Sequence, residues 1–111
     1  MNAEGGLRKT AVTEDPKPST ETIALVIDGC LYALLGGPAS SAFRTYIKRE
    51  SSVTIADLVD DPLKLSECLQ GVFGDSAPVI EEFMVRSLVR EFSLPASLCI
   101  DLVSTLRAAR V

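Results

Sequence analysis

The stretch from Gly71 to Leu94, GVFGDSAPVIEEFMVRSLVREFSL, constrains the fold more than any other part of the chain. It contains Gly74, which can end one helix in a left-handed conformation with a positive φ, and Asp75, which can cap the next helix through its carboxylate. Residues 76–92 then have the period of an α-helix, and apolar side chains occupy most of its circumference. The polar residues form one narrow stripe: Glu82, Arg86 and Arg90. Such a helix is typical of the middle of a fold.

A second helix of the same kind is predicted from Thr20 to the glycine pair Gly36-Gly37, whose backbone freedom favours a helix end. Pro38 then favours the start of a new helix. On a helical wheel the first helix has a single polar stripe, formed by Glu21, Asp28 and Tyr32. Its remaining surface is almost entirely apolar. We therefore expect residues 20–35 and 76–92 to form a central helical pair.

Three further helices have an ordinary amphipathic pattern, with one apolar and one polar face. The first runs from Pro38 to about Arg49, with Ser40 on its outer face. The second begins at Pro62 with Asp61 as its N-cap. Before this helix, the segment Thr54-Ile55-Ala56-Asp57 resembles a capping box and predicts a short helical turn. The third follows Pro95 and is expected to bury Leu98, Cys99, Leu102, Val103, Leu106 and Ala109 and to expose Ser97, Asp101, Ser104 and Thr105.

No segment alternates between polar and apolar residues as a β-strand would, and no internal repeat is present. The sequence thus predicts an all-α fold, a compact bundle of about five helices whose first and fourth members are the central pair. The 111 residues suit one domain. Residues 1–19 combine Gly, Pro, Thr and charges without any period, so we expect a disordered tail followed by a single helical domain over residues 20–111.

Charge and cysteine usage limit the classes of function. Fifteen acidic and eleven basic residues give a net charge of −4, which argues against a general polyanion-binding surface. The three cysteines are widely spaced and the chain has no histidine, so the common zinc motifs and histidine triads do not occur. The longest apolar run, Ile23 to Leu35, is interrupted by Asp28 and too short for a membrane span. We expect a cytoplasmic protein with no metal, no cofactor and no membrane partner.

No residues in the sequence suggest catalysis. Glu81 and Glu82 are the only adjacent carboxylates in a predicted helix, but neighbouring helical side chains point about 100° apart and do not converge. We therefore predict that the protein is not an enzyme. The polar residues on helical stripes are candidates for contacting a partner instead: Asp28, Tyr32, Arg44, Lys48, Glu82, Arg86 and Arg90.

Two alternative functions stay open from the sequence. Two helices joined by the short Gly74-Asp75 turn are superficially like a helix-turn-helix, and a DNA-binding regulator would need Arg44, Lys48, Arg86 and Arg90 on one exposed face. A small-molecule-binding or enzymatic domain would need a pocket lined by carboxylates such as Asp28, Glu81 or Glu82.

Several short segments are similar to those of a known family. They are Gly36-Gly37-Pro38-Ala39, Tyr46-Ile47-Lys48-Arg49, Ile55-Ala56-Asp57-Leu58 before Asp61-Pro62, Val72-Phe73-Gly74-Asp75 with Ala77, and Val89-Arg90-Glu91-Phe92. Over about residues 23–94 the chain resembles a small helical family of archaeal proteins with no settled biochemical activity. Domains related to that family are described as output modules in signalling proteins of ammonia-oxidising archaea. The resemblance implies a helical fold and a regulatory binding role, and it implies no catalytic residues.

The sequence therefore favours a non-catalytic regulatory or protein-interaction module. The three amphipathic helices are too few to cover both of the central helices, which are apolar around nearly their whole circumference. The apolar surface left uncovered would form an exposed patch, and a two-fold contact is the commonest way to bury such a patch. We expect a homodimer.

Overall fold

The computed structural model describes residues 18–110, and within them every regular element is helical. The predicted all-α bundle is confirmed, with five longer helices and one short one. Two 3₁₀ turns, Gly74–Ser76 and Ala96–Leu98, lie before the fifth and sixth helices. The α-helices are α1 Thr20–Leu35, α2 Gly37–Ser51, α3 Ile55–Val59, α4 Pro62–Phe73, α5 Ala77–Phe92 and α6 Leu102–Arg110. Most of the predicted tail, residues 1–17, lies outside the described residues.

Local side-chain hydrogen bonds explain where two of the helices begin. Ser19 precedes α1, and its Oγ accepts a hydrogen bond of 3.1 Å from the backbone N–H of Thr22. Thr54 and Asp57 form the reciprocal capping box that the sequence predicts, because each side chain accepts from the other residue's backbone N–H, at 3.3 and 2.9 Å. Asp61 is the N-cap of α4 and Pro62 its first residue, as expected, although the Asp61 side chain makes no capping hydrogen bond.

The helices α1 and α5 pack against each other more extensively than any other two elements of the described chain, which agrees with the predicted central pair. On its other sides α1 contacts α2 and α3, whereas α5 contacts α4 and α6. The largest fully buried side chains come from all six helices: Ile23, Ile27, Leu31, Phe43, Ile47, Leu58, Leu65, Leu69, Ile80, Met84, Leu88 and Leu102. One core thus joins the described helices into one unit.

The connections on either side of the bundle use glycine where the backbone requires it. Gly36 alone joins α1 to α2, with a φ of 88°. Gly74 ends α4 with a φ of 55°, so its predicted positive φ is confirmed. Its ψ of −123° differs from that of the predicted left-handed conformation, because a 3₁₀ turn follows directly. The predicted capping role of Asp75 is wrong, because Asp75 lies inside a 3₁₀ turn and no side-chain hydrogen bond caps α5.

The last helix differs most from its prediction. It begins at Leu102 and is preceded by a 3₁₀ turn and Asp101, so Leu98 falls outside the helix and is 58% exposed. Thr105, expected on the outer face, is completely buried. Its hydroxyl donates to the Asp101 carbonyl at 2.6 Å, and this bond satisfies the polar group within its own helix.

Ser40 shows the same effect in α2. The sequence pattern places it on the outer face, yet it is buried. Its hydroxyl donates to the Gly37 carbonyl at 3.1 Å, so burial leaves no unsatisfied hydrogen-bonding group. A buried serine or threonine that bonds its own helix is indistinguishable from an exposed one in a hydropathy pattern.

Candidate interaction surfaces

The side of α1 that faces away from the core is more apolar than the sequence pattern suggests. We call it the outer face of α1 and define it by five exposed residues: Glu21, Leu25, Gly29, Tyr32 and Ala33. Leu25 is 71% exposed and Tyr32 is 65% exposed, so most of each side chain is in contact with solvent. The contacts of α1 with α2, α3 and α5 leave this side open to solvent.

Gly29 is the least expected member of this face, because it lies in the middle of a helix. A glycine there destabilises the helix by roughly 0.5–1 kcal/mol relative to alanine. Nothing within the described protein explains it, since a Cβ atom at this position would have no heavy atom within 4 Å. Gly29 therefore lies between Leu25 and Tyr32 as a shallow depression in an exposed apolar face.

Asp28 lies at the edge of this face and is paired with α2. Its carboxylate accepts from Arg44 Nη1 at 2.5 Å, and both side chains are partly exposed. The sequence pattern places Asp28 with Tyr32 on α1 and Arg44 with Lys48 on α2, and it does not predict this contact between the two helices. An exposed ion pair of this kind contributes little stability, but it compensates both charges and orients the guanidinium.

Tyr32 lies over the junction between α1 and α2. A Cβ atom added to Gly37 would be 3.4 Å from Tyr32 Cε1, so the aromatic ring lies beside the start of α2. The ring has one side against the protein and the other toward solvent. This arrangement is common in side chains that contribute to protein interfaces.

The polar stripe of α5 faces solvent as predicted, since Glu82, Arg86 and Arg90 are all exposed. Arg86 Nη2 donates to Glu82 Oε2 at 2.7 Å, an i to i+4 pair on the helix surface. Arg90 lies close to the buried thiol of Cys30 on α1. Burial raises the pKa of that thiol, and a hydrogen bond with Ser87 and the positive charge of Arg90 partly oppose the rise.

The four basic residues that a DNA-binding face would need do not form one cluster. Arg44 and Lys48 lie on α2, whereas Arg86 and Arg90 lie on α5, and these two helices are not among the closely packed pairs of the described residues. Two of the four also have a carboxylate partner, because Asp28 pairs with Arg44 and Glu82 with Arg86.

The adjacent carboxylates of α5 have separate structural roles. Glu81 Oε2 accepts from Ser66 Oγ at 2.9 Å, a bond that joins α4 to α5. Glu82 pairs with Arg86. The two side chains therefore point toward different neighbours, and the structure does not bring them together.

Three shallow clefts lie on the surface of the described residues, and none of these three is lined by Asp28, Glu81 or Glu82. One of about 570 Å³ separates the α3–α4 turn from the end of α6, and there Arg110 Nη2 pairs with Asp60 at 3.1 Å. A second, of about 440 Å³, lies along α2 and is lined by Ser41, Arg44, Thr45, Lys48 and Arg49. The third, of about 360 Å³, lies beside the start of α6.

The three cysteines are free thiols. Cys30 and Cys99 are buried, whereas Cys68 is half-buried at the edge of the core. Burial raises the pKa of the Cys68 thiol, and the nearby Lys64 opposes this rise. A raised pKa lowers the thiolate fraction at neutral pH and therefore the reactivity of the thiol.

Within residues 18–110 no group of three or more acidic or cysteine side chains is arranged to hold a metal ion. Across the same residues no helix combines the length and the apolar content of a membrane span.

Comparisons with known proteins give no relative. The chain matches no protein-family model, no curated protein and no solved structure. The similarity to the archaeal helical family therefore stays a prediction.

Proposed function

We propose that this domain is a non-catalytic protein-interaction module that forms a homodimer through the outer face of α1. The observation that carries the proposal is the exposure of Leu25 and Tyr32 on either side of a mid-helix glycine. Exposed apolar side chains that lie together on one helix face are a mark of interaction surfaces.

Gly29 makes this face suitable for another helix. Without a side chain at this position, and with only a methyl group at Ala33, a second backbone can approach α1 closely. Leu25 and Tyr32 would then flank the contact and lose their exposure to water. Gly29 is unfavourable for the isolated helix, and a close helix–helix contact is the physical reason to place a glycine there.

A second copy of the chain is a suitable occupant because a two-fold contact presents the same patch from both sides. In such a contact the acidic residues of α1 in one copy would face the same residues in the other copy, and their like charges would repel. Here Arg44 of the same chain already compensates Asp28, which leaves Glu21 as the carboxylate on the outer face of α1. The repulsion between two copies is correspondingly reduced.

A regulatory role in the cytoplasm is part of the proposal. It is supported by the resemblance to output domains of archaeal signalling proteins and by three cysteines that form no disulfide.

The oligomeric state tests the proposal. Light scattering behind a sizing column at micromolar concentration should give twice the chain mass of 11.9 kDa. Leu25→Glu should return the protein to one chain mass, because it places a charge in the contact. The control is Leu63→Glu on α4, where the leucine is 58% exposed and outside the outer face of α1; this variant should stay dimeric.

Gly29→Ala separates folding from association, because the two effects have opposite signs. The added methyl group should stabilise the folded monomer by about 0.5–1 kcal/mol through helix propensity, and it should weaken dimerisation by preventing close approach. A mass near 11.9 kDa at every concentration of the parent protein would exclude the dimer. A Leu25→Glu variant that stays dimeric would place the contact elsewhere.

A further inference from the structure

The solvent-facing side of α2 differs in chemistry from the rest of the surface. The depression of about 440 Å³ along this helix is lined by five residues whose side chains carry hydrogen-bond donor groups, and no carboxylate lines it. We call it the basic face of α2 and define it by Ser41, Arg44, Thr45, Lys48 and Arg49. A surface with three cations and no lining acid is unexpected on a chain with a net charge of −4.

The spacing of these residues forms two neighbouring rows of donors. Ser41, Thr45 and Arg49 follow one another at intervals of four residues, and so do Arg44 and Lys48 beside them. Residues four apart are neighbours on a helix surface, with Cβ atoms roughly 5–6 Å apart. Glu50, the next residue along the chain, points about 100° away from Arg49 and does not line the depression.

Arg44 is held in place by the ion pair with Asp28, which uses Nη1. A guanidinium has five N–H donors in a rigid fork, so others stay available to a ligand. Part of the conformational entropy of the Arg44 side chain is therefore lost before any ligand binds, which reduces the entropy cost of binding. The charge of Asp28 leaves a net charge of about +2 for the group formed by Arg44, Lys48, Arg49 and Asp28.

The helix dipole offers a simpler reason for part of this pattern, because cations in the last turn of a helix are stabilising. Lys48 and Arg49 are in the last turn of α2. The dipole does not explain Arg44, one turn earlier, or the two hydroxyl groups on the same side.

We propose that the basic face of α2 binds a phosphate-bearing ligand. Phosphate oxygens accept several hydrogen bonds at once from hydroxyl, ammonium and guanidinium groups, and they require positive charge nearby. The depression is shallow, and each of the five residues that line it carries a donor group that a phosphate oxygen can accept from. From Ser41 to Arg49 the helix rises about 12 Å, long enough for two adjacent phosphates. We therefore expect pyrophosphate to bind more tightly than orthophosphate.

Amide chemical shifts of the full ¹⁵N-labelled chain test the proposal directly. Sodium pyrophosphate, compared with sodium chloride at matched ionic strength, should shift the resonances of residues 41–52. Lys48→Gln/Arg49→Gln should weaken binding on the order of tenfold, since it removes two charge-assisted contacts. Arg86→Gln/Arg90→Gln on α5 changes the net charge equally and should leave the affinity unchanged.

Three results would overturn the proposal: shifts no larger than those in chloride, shifts centred away from α2, or an equal loss of affinity in both double variants. Two further probes separate the sources of a phosphate group, a short single-stranded oligonucleotide and vesicles containing an anionic phospholipid. If one of these probes binds the parent protein more tightly than pyrophosphate, and binds Lys48→Gln/Arg49→Gln no more tightly than pyrophosphate does, that probe identifies the source of the phosphate group. If neither does, a small soluble phosphate compound is the ligand class.

Discussion

At the scale of single residues, Gly74 has backbone torsions that other residues adopt only with strain. Its φ of 55° and ψ of −123° lie outside the regions open to residues with a Cβ atom. The space around it is open, because a Cβ atom would meet nothing within 4 Å. The torsion angles, and not crowding, therefore restrict this position to glycine.

We predict that Gly74→Val destabilises the fold by about 1–3 kcal/mol, the usual cost of holding a β-branched residue in a sparsely populated backbone region. Thermal unfolding followed by circular dichroism measures the effect. Ser93 provides a control in which the expected change has the opposite sign. This serine ends α5 in the left-handed conformation, with a φ of 52° and a ψ of 47°, which glycine adopts with less strain. Ser93→Gly should relieve strain and raise the melting temperature slightly. An unchanged melting temperature for Gly74→Val would mean that the turn rearranges without cost.

At the scale of helices, the start of α6 depends on a reciprocal pair of side chains. Asp101 Oδ1 accepts from the Ser104 backbone N–H at 2.8 Å. In return, Ser104 Oγ accepts from the backbone N–H groups of Asp101 and Ile100, each at 3.0 Å. The two side chains thus satisfy one N–H group in the first turn of this nine-residue helix, that of Ser104, and the two N–H groups just before the helix.

The hydrogen bonds from the backbone and the side chain of Ser104 hold the pKa of the Asp101 carboxyl below its ordinary value. Because the folded-state pKa is lowered, the contribution of Asp101 to stability is complete above its unfolded-state pKa. It is lost as the pH falls through the folded-state value.

Asp101→Ala should therefore destabilise the protein by about 1 kcal/mol at neutral pH, the typical effect of losing an N-cap. The difference from the parent should shrink in acid, and denaturant unfolding at several pH values measures it. Asp101→Asn is the matched control, because asparagine accepts the same backbone hydrogen bond without titrating in this range. A parent–alanine difference that stays constant down to strongly acidic pH would contradict the role of the ionised carboxylate.

The ends of the earlier helices follow from local sequence, and for a physical reason. Gly36, Gly74 and the Thr54 capping box act through torsions and hydrogen bonds that involve only a few neighbouring residues. The start of α6 depends on the same chemistry, but the apolar residues Leu98 and Cys99 continue the helical period through the 3₁₀ turn before it. Periodicity alone therefore extended the predicted helix too far toward the N-terminus.

The candidate surfaces were less predictable than the helices. The exposure of the α5 stripe follows from the helical period, but the pairing of Asp28 with Arg44 depends on how α1 and α2 pack. The outer face of α1 was predicted only through its polar members, Glu21 and Tyr32. Gly29 in the middle of an otherwise regular helix was the one signal in the sequence that could have indicated a contact there.

At the scale of the whole molecule, α6 completes the core. It packs against α4 and α5, and it buries Leu102, Thr105, Leu106 and Ala109. Arg110 at its end also contacts Thr20 at the start of α1 and pairs with Asp60. A chain that ended at Leu94 would lack this helix.

We predict that a chain ending at Leu94 does not unfold cooperatively. The truncation removes the buried side chains of Leu102 and Leu106 and exposes the parts of α4 and α5 that they cover. Burial of each large apolar side chain contributes about 1.5–3 kcal/mol, so this loss is a large share of the roughly 5–15 kcal/mol that stabilises a typical domain. A thermal melt by circular dichroism detects the loss.

The matched control for this truncation is a chain that begins at Pro18. It keeps the Ser19 cap of α1, and its melting temperature should equal that of the full chain, which also tests the predicted domain boundary near residue 20. A cooperative melt of the chain ending at Leu94 would mean that α6 is dispensable for the fold.

The position of Tyr32 on the outer face of α1 has a spectroscopic consequence. The chain has no tryptophan and only two tyrosines, so emission excited at wavelengths beyond the absorption of phenylalanine comes from Tyr32 and Tyr46 alone. In a Tyr46→Phe background every emitted photon originates from the face proposed to join two copies. Dilution of such a protein would report association at that face without an attached dye.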